Sequence, residues 1–246
     1  PFFNQEEKFL KIAWQIDLAV LDPSFNHTHP MLSRNAVKTL RNALESFWER
    51  PHFFLKFDGL PVVLYRARSG PVTHEMMGEL NAVLGEHISI GDIGGSPDAH
   101  ELIVDGIPIF DVYTTFSWVE DAAINSERGG IHGDMTTFLT KSGAFEKMQK
   151  WAATPGIAYV PPLSPGFVSV GNRSKYQFPE LNLRSSEASF REQVTRVREL
   201  QRSSRLPGGV AGMYFIDSAN DELHGTSMTT EQHVILKEML PTKQRW

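Results

Sequence analysis

The chain has 246 residues, 41% of them hydrophobic and 22% charged, with a net charge of -5. That balance excludes a disordered tail, a collagen and a coiled coil, and its 24 Lys+Arg against 29 Asp+Glu argue against a nucleic-acid-binding surface. With no cysteine there is no disulfide, thiolate metal site or cysteine nucleophile, and no run approaches the ~18 apolar residues of a membrane span.

The chain opens Pro1-Phe2-Phe3-Asn4, without Met and without a basic segment leading into an apolar one. This reads as a piece of a longer protein or a chain whose leader has been removed. Strand-like and helix-like segments then alternate. Ile16 to Leu21 is a short apolar run stopped by Asp22-Pro23, which predicts a buried strand. Val37, Leu40, Leu44 and Phe47 recur at spacings of three and four, which predicts a helix from Asn35 to Trp48. Pro61 to Tyr65 is a second buried strand, introduced by the turn Asp58-Gly59. Thr73 is a helix cap ahead of an apolar face of Met76, Met77, Leu80 and Leu84. Ile88 to Ile90 is a third strand.

The rhythm continues in the second half. Ile107 to Thr114 is predicted as a strand, and Asp134 to Ala153 as a helix broken at Ser142-Gly143. Gly156 to Val160 is a strand that runs into the proline-rich loop 161–166. Glu187 to Arg205 is an amphipathic helix with Phe190, Val194, Val197 and Leu200 inward. Val210 to Asp217 is the last strand, and Thr229 with Gln232 forms a capping box for a final helix through Leu240. Alternating β and α units imply parallel strands with crossovers. Neither a strand–GxGxxG–helix unit nor a GxxxxGK[ST] loop is present, so a nucleotide-binding sheet loses its best support. The expectation is an α/β chain folded as a single (β/α)8 barrel domain over 1–246, lacking its first one or two β/α units.

In such a fold the site lies at the carboxyl ends of the strands. The polar residues there are Asp22, then Arg66 and Arg68, then Asp92, then Tyr113, Thr114, Ser117 and Trp118. Ser164 and Arg173 follow the fifth strand; Asp217, Asn220, Asp221, Glu222 and His224 follow the last. Asp22-Pro23 reads first as a turn starter, whereas Asp92 reads equally as a turn between glycines and Trp118 as a half-buried loop anchor. The group from Asp217 to His224 is the densest set of ionisable residues at any strand end. Carboxylates with aromatic rings suit carbohydrate, because rings stack on sugar C–H faces while paired carboxyls supply an acid and a base or nucleophile. The nine histidines are scattered and offer no three converging ligands, so neither a metal nor another cofactor is expected.

Four segments carry a resemblance. Residues 212–226, GMYFIDSANDELHGT, resemble the "SFNEWHEGT" signature of the family 99 glycoside hydrolases. Residues 110–115, FDVYTT, are similar to the family's "FDAITTY" strand. Residues 159–167, YVPPLSPGF, are similar to its "PTVSPGYDD" loop, and residues 57–63, FDGLPVV, to its "DGKPVV". The family holds endo-α-mannosidases and related WbsX-like polysaccharide-biosynthesis proteins on a (β/α)8 barrel longer than this chain. The resemblance implies a retaining mechanism run by two glutamates three residues apart, one assisting attack by the substrate's own 2-hydroxyl and the other a general acid/base. Aligned on Gly225-Thr226, those positions are Asp221 and His224, and the signature tryptophan is Glu222.

What the resemblance implies is a glycoside hydrolase of α-linked glycans, with Asp221 and Glu222 or His224 as the acid/base apparatus. Tyr113, Trp118 and Tyr159 would form part of a sugar platform, with Asp217 and Asn220 also binding substrate. The alternative is a glycan-binding or polysaccharide-assembly protein on the same fold that has lost the glutamate pair. The partner in either case is an oligosaccharide or polysaccharide.

Overall fold

Short apolar runs bounded by turns build the first sheet. A computed structural model describes residues 13–25, 29, 31–48, 55–57, 59–66, 72–92, 103–115, 131–169, 181–203, 215–216 and 229–239. The chain divides into two units, the first Pro1–Ile93 with Pro97–Tyr113, the second Gly94–Ser96 with Thr114–Trp246.

The first unit runs β1 (Trp14–Asp17), a helical turn α1 (Leu18–Leu21), α2 (Arg34–Trp48), β2 (Lys56–Phe57), β3 (Leu60–Arg66), α3 (His74–Leu84) and β4 (Ile88–Asp92). It continues through β5 (Ile103–Val104) and β6 (Ile107–Pro108) into β7 (Val112–Thr114). The sheet order is β1-β3-β4-β7, with β2 antiparallel on β3. β1, β3 and β4 are parallel, Trp14 lying opposite Val63 and Val62 opposite Ile88. Val62 to Tyr65 are all buried, as a parallel strand covered on both faces requires.

Helix α3 follows the sequence closely. The Thr73 hydroxyl accepts the Met76 N–H at 3.2 Å, and Met76, Met77, Leu80 and Leu84 are buried. Gly85, at φ +72°, ends the helix by donating its N–H to the Asn81 carbonyl. Two expectations in this unit change. The run from Ile16 is strand only to Asp17, because the Asp17 carboxylate accepts the Val20 N–H at 3.2 Å and turns the chain into α1. The predicted strand Ile107–Thr114 is two pieces. Its first part pairs antiparallel with β5 across Asp105 (φ +54°) and Gly106 (φ +79°), a left-handed pair suited to a two-residue hairpin.

The second unit contains β8 (Ile131–Asp134), α4 (Met135–Lys141), α5 (Ala144–Ala153), β9 (Pro162–Leu163), β10 (Gly166–Ser169), β11 (Leu181–Arg184), α6 (Glu187–Ser203), β12 (Phe215–Ile216) and α7 (Thr230–Met239). β9 pairs parallel with β12, and β11 pairs parallel with β8 and antiparallel with β10. The helix break falls at Ser142-Gly143, where Gly143 takes φ +73°. Leu163, Phe190, Val194, Val197, Ile235 and Leu236 form a buried cluster that packs α6 and α7 against β9. The capping box forms as expected: the Thr229 hydroxyl accepts the Gln232 N–H and the Gln232 side chain accepts the Thr229 N–H. The fifth strand sits later than expected, at Pro162–Leu163 rather than Gly156–Val160. A proline at the first position of a short strand is compatible with pairing, so the proline run did not mark the strand's end.

The architecture is mixed α/β with parallel pairing. Among the described residues the strands fall into one five-stranded, one three-stranded and two two-stranded sheets. Among them no helix is long and apolar enough to cross a membrane.

Candidate functional site

Parallel pairing of β9 with β12 sets Leu163 beside Ile216, and Ser164 follows β9. Ser164 is fully buried, and its backbone is held on both sides by one side chain. Its N–H donates to Gln193 Oε1 at 2.6 Å, and its carbonyl accepts from Gln193 Nε2 at 3.0 Å. A second glutamine continues the clamp, Gln232 Nε2 donating to the Pro165 carbonyl at 3.0 Å, which also accepts the Ser185 N–H. Among the described residues the Ser164 hydroxyl has no hydrogen-bond partner. The clamp therefore fixes the backbone path leaving β9. Sequence reading named Ser164, and Gln232 only as a capping residue, but missed Gln193, since a helical Gln carries no signal of an inward partner.

Tyr113 and Tyr159 are both fully buried. The Tyr113 hydroxyl accepts the N–H groups of Ile109 and Phe110, at 2.9 and 3.1 Å, and its ring meets Phe110 edge-on. Burial raises its phenol pKa, the two N–H donors opposing the rise. The Tyr159 hydroxyl shares a 2.7 Å hydrogen bond with Thr115 Oγ1. In this structure both rings are core groups and present no open face.

Asp22 is a turn-forming carboxylate. It accepts the Ser24 hydroxyl at 2.7 Å, the Ser33 N–H at 2.6 Å and the Ser24 N–H at 3.0 Å. The Ser24 hydroxyl first, then the Ser33 N–H, hold its pKa far below the ordinary carboxylate range despite burial. Asp134 caps α4 through the Thr137 N–H and accepts the Ser189 hydroxyl at 2.7 Å. Burial pushes its pKa up, but the donors from Ser189, Thr137 and Ser186 outweigh it and the net shift is downward. At the carboxyl edge of the first sheet, Arg66 lies beside Asp17 and Asp92 in the strand register, with Arg66 Nη1 3.8 Å from Asp17 Oδ2. Asp17 was missed in the sequence because it sits inside a run read as continuous strand.

Arg68, Ser117, Trp118, Arg173, Asp217, Asn220, Asp221, Glu222 and His224 lie outside the described residues. Among the described residues no three His, Asp or Glu side chains gather as a metal site would require.

No family model matches the chain, and no curated protein matches it. Its fold is similar to that of a solved structure described as a glycoside hydrolase-like protein, with a TM-score of 0.59 and 14% identity over 98% of this chain and 73% of that one. The GH99 endo-α-mannosidase from Bacteroides thetaiotaomicron is also similar, with a TM-score of 0.47 and 12% identity over 89% of this chain. In complex with bis-tris propane that enzyme gives a TM-score of 0.49 and 12% identity, over 92% of this chain and 67% of the other. In the first mannosidase comparison the chain spans 56% of the enzyme's length. At these identities the likeness is one of fold: an α/β chain built like a glycoside hydrolase-like protein.

Proposed function

We propose that the chain is a carbohydrate-active protein, a retaining glycoside hydrolase of α-linked glycans on a (β/α)8 barrel. The supporting observation is the fold likeness to a glycoside hydrolase-like protein over 98% of the chain. The four segments that resemble family 99 support the same reading.

In this proposal Asp221 and Glu222 or His224 are the acid/base apparatus, and Asp217, Asn220 and Trp118 bind sugar. Tyr113 and Tyr159, fully buried, are left out of the sugar platform. An Asp in place of Glu shortens the carboxylate by one methylene, and an ångström of misplacement costs about 100-fold in rate. Activity with Asp221 therefore requires a remodelled loop or takeover by Glu222. His224, with a reference pKa of about 6.5, would act as acid/base nearer neutrality than a carboxyl.

The test is turnover of α-mannans and other α-linked glycans by the full-length protein and by Asp221→Asn, Glu222→Gln and His224→Ala, each checked for folding. Loss of turnover in Asp221→Asn and in at least one of the other two supports the assignment. Turnover unchanged in all three refutes it. A second reading, a non-catalytic glycan-binding protein, is favoured by the departure at both glutamate positions. It takes over if the wild type binds glycan without cleaving it.

A further inference from the structure

The β5–β6 hairpin of the first unit is held by little besides its turn. Ile103 pairs with Pro108 and Val104 with Ile107, and the two strands form a sheet of their own. Pro108 brings no N–H to that ladder, and an isolated two-stranded hairpin is marginal in water. Burial adds little at the tip. Val104 and Ile107 are 43% and 60% exposed, and Asp105 and Gly106 between them are exposed as well. His74 Nε2 donates to the Ile107 carbonyl at 3.2 Å, but that bond is itself exposed. Opening such a segment costs far less than global unfolding.

The turn carries a residue pair in which a backbone nitrogen can attack a side chain. Glycine after aspartate leaves the attacking nitrogen unshielded, and a Cβ at Gly106 would meet no atom within 4 Å. Asp105, at φ +54°, is the one non-glycine residue with positive φ among the described residues. Among them its carboxyl group has no hydrogen-bond or ion-pair partner. Asp22, Asp111 and Asp134, by contrast, each accept at least two N–H or hydroxyl donors.

We propose that Asp105-Gly106 is a site of spontaneous modification, at which Asp105 isomerises to isoaspartate. The Gly106 nitrogen bonds to Cγ of the Asp105 carboxylic acid, and its proton leaves with the carboxyl hydroxyl as water. Water then adds to the cyclic imide. Cleavage between the Asp105 main-chain carbonyl and the nitrogen leaves the backbone running through Cγ and frees the α-carboxylate. Composition is unchanged, and water is the only co-reactant. The product lengthens the main chain by one methylene. A two-residue turn fixes the register of its hairpin, so the pairing of Val104 with Ile107 is lost. The inference is independent of the carbohydrate reading.

The test is incubation of the full-length protein in neutral buffer made with heavy-oxygen water, followed by proteolysis in ordinary water and mass spectrometry. Each passage through the imide leaves one solvent oxygen in residue 105. A protein-isoaspartyl methyltransferase with labelled S-adenosylmethionine reports the isomer itself, by esterifying its α-carboxylate. A parallel sample is incubated in urea. The expected result is label at Asp105 in the folded protein at a rate within about tenfold of the unfolded rate, as a segment of low opening free energy gives. Label slower than that, or absent, overturns the proposal, because the folded turn then protects the bond. Asp105→Asn gives a second readout, since asparagine tolerates the same left-handed turn and its deamidation changes the mass. An asparagine that survives the incubation in the folded protein and is lost in urea overturns the proposal equally.

Discussion

Replacing Gln193 by leucine removes the clamp on the loop after β9 at nearly constant volume. Both Ser164 backbone groups then lose their partner, the N–H at 2.6 Å and the carbonyl at 3.0 Å, along with a weaker 3.4 Å contact from Gln193 to Thr136. Ser164 and Gln193 are 0% and 1% exposed, so water cannot substitute without opening the core. Each buried group left unpaired costs roughly 1–3 kcal/mol, which gives about 2–5 kcal/mol after a small gain from the apolar side chain. Against a typical total of about 5–15 kcal/mol that is a large fraction. In equilibrium urea unfolding the midpoint falls by about 1–2 M at an unchanged m-value. The Gln193→Glu variant sharpens the case. Its carboxylate still accepts the Ser164 N–H but sets a second oxygen against the Ser164 carbonyl, so it is destabilised at neutral pH. Protonation supplies the missing donor, and stability returns toward wild type as pH falls. A leucine variant within about 0.5 kcal/mol of wild type, inside the range of ordinary surface substitutions, refutes the clamp.

Gly91→Ala drives a new Cβ into the Phe110 ring, itself packed on Tyr65 and Tyr113. The expected loss is about 1–3 kcal/mol in chemical denaturation, largely relieved by adding Phe110→Leu. Asp22 titrates below its unfolded value of about 3.9, so it stabilises the fold above that pH and the contribution is lost as pH falls through its lower native value. In acid-unfolding titrations Asp22→Asn is therefore less stable than wild type near neutrality, and the gap closes below about pH 4. Thr73→Ala costs about 1 kcal/mol by thermal or urea melts, and Thr73→Ser recovers most of it, because only the hydroxyl to Met76 matters.

The sequence was readable where the determining interaction is local. Thr73 with Met76, Thr229 with Gln232, and the break at Gly143 each involve groups within a few positions, so residue type and spacing carried them. It was unreadable where a side chain's partner is distant. Gln193 reaches Ser164, 29 positions away, and Gln232 reaches Pro165, 67 away; nothing in a helical glutamine announces an inward role. Asp17 shows a third kind of failure. Its carboxylate ends a strand and starts a helix, a competition between backbone and side chain that apolar periodicity does not register. Asp217 to His224, the expected site, lie outside the described residues.

Two carboxylates restrict where glycosidase chemistry can reside. A general acid at neutral pH must hold its proton, which requires a pKa raised by burial or a neighbouring anion. Asp22 and Asp134 are shifted the other way, each saturated by hydroxyl and N–H donors that stabilise the ionised form. Both serve as turn or cap residues, and such donors are what a catalytic acid must lack. That removes Asp22 and Asp134 as acids in the proposed hydrolase; the proposal assigns the role to Asp221, Glu222 or His224. The pH dependence of kcat/KM separates them. An acidic limb that disappears in Glu222→Gln identifies the carboxyl, whereas one near neutrality that disappears in His224→Ala identifies the imidazole. A profile unchanged by either substitution removes both from the mechanism.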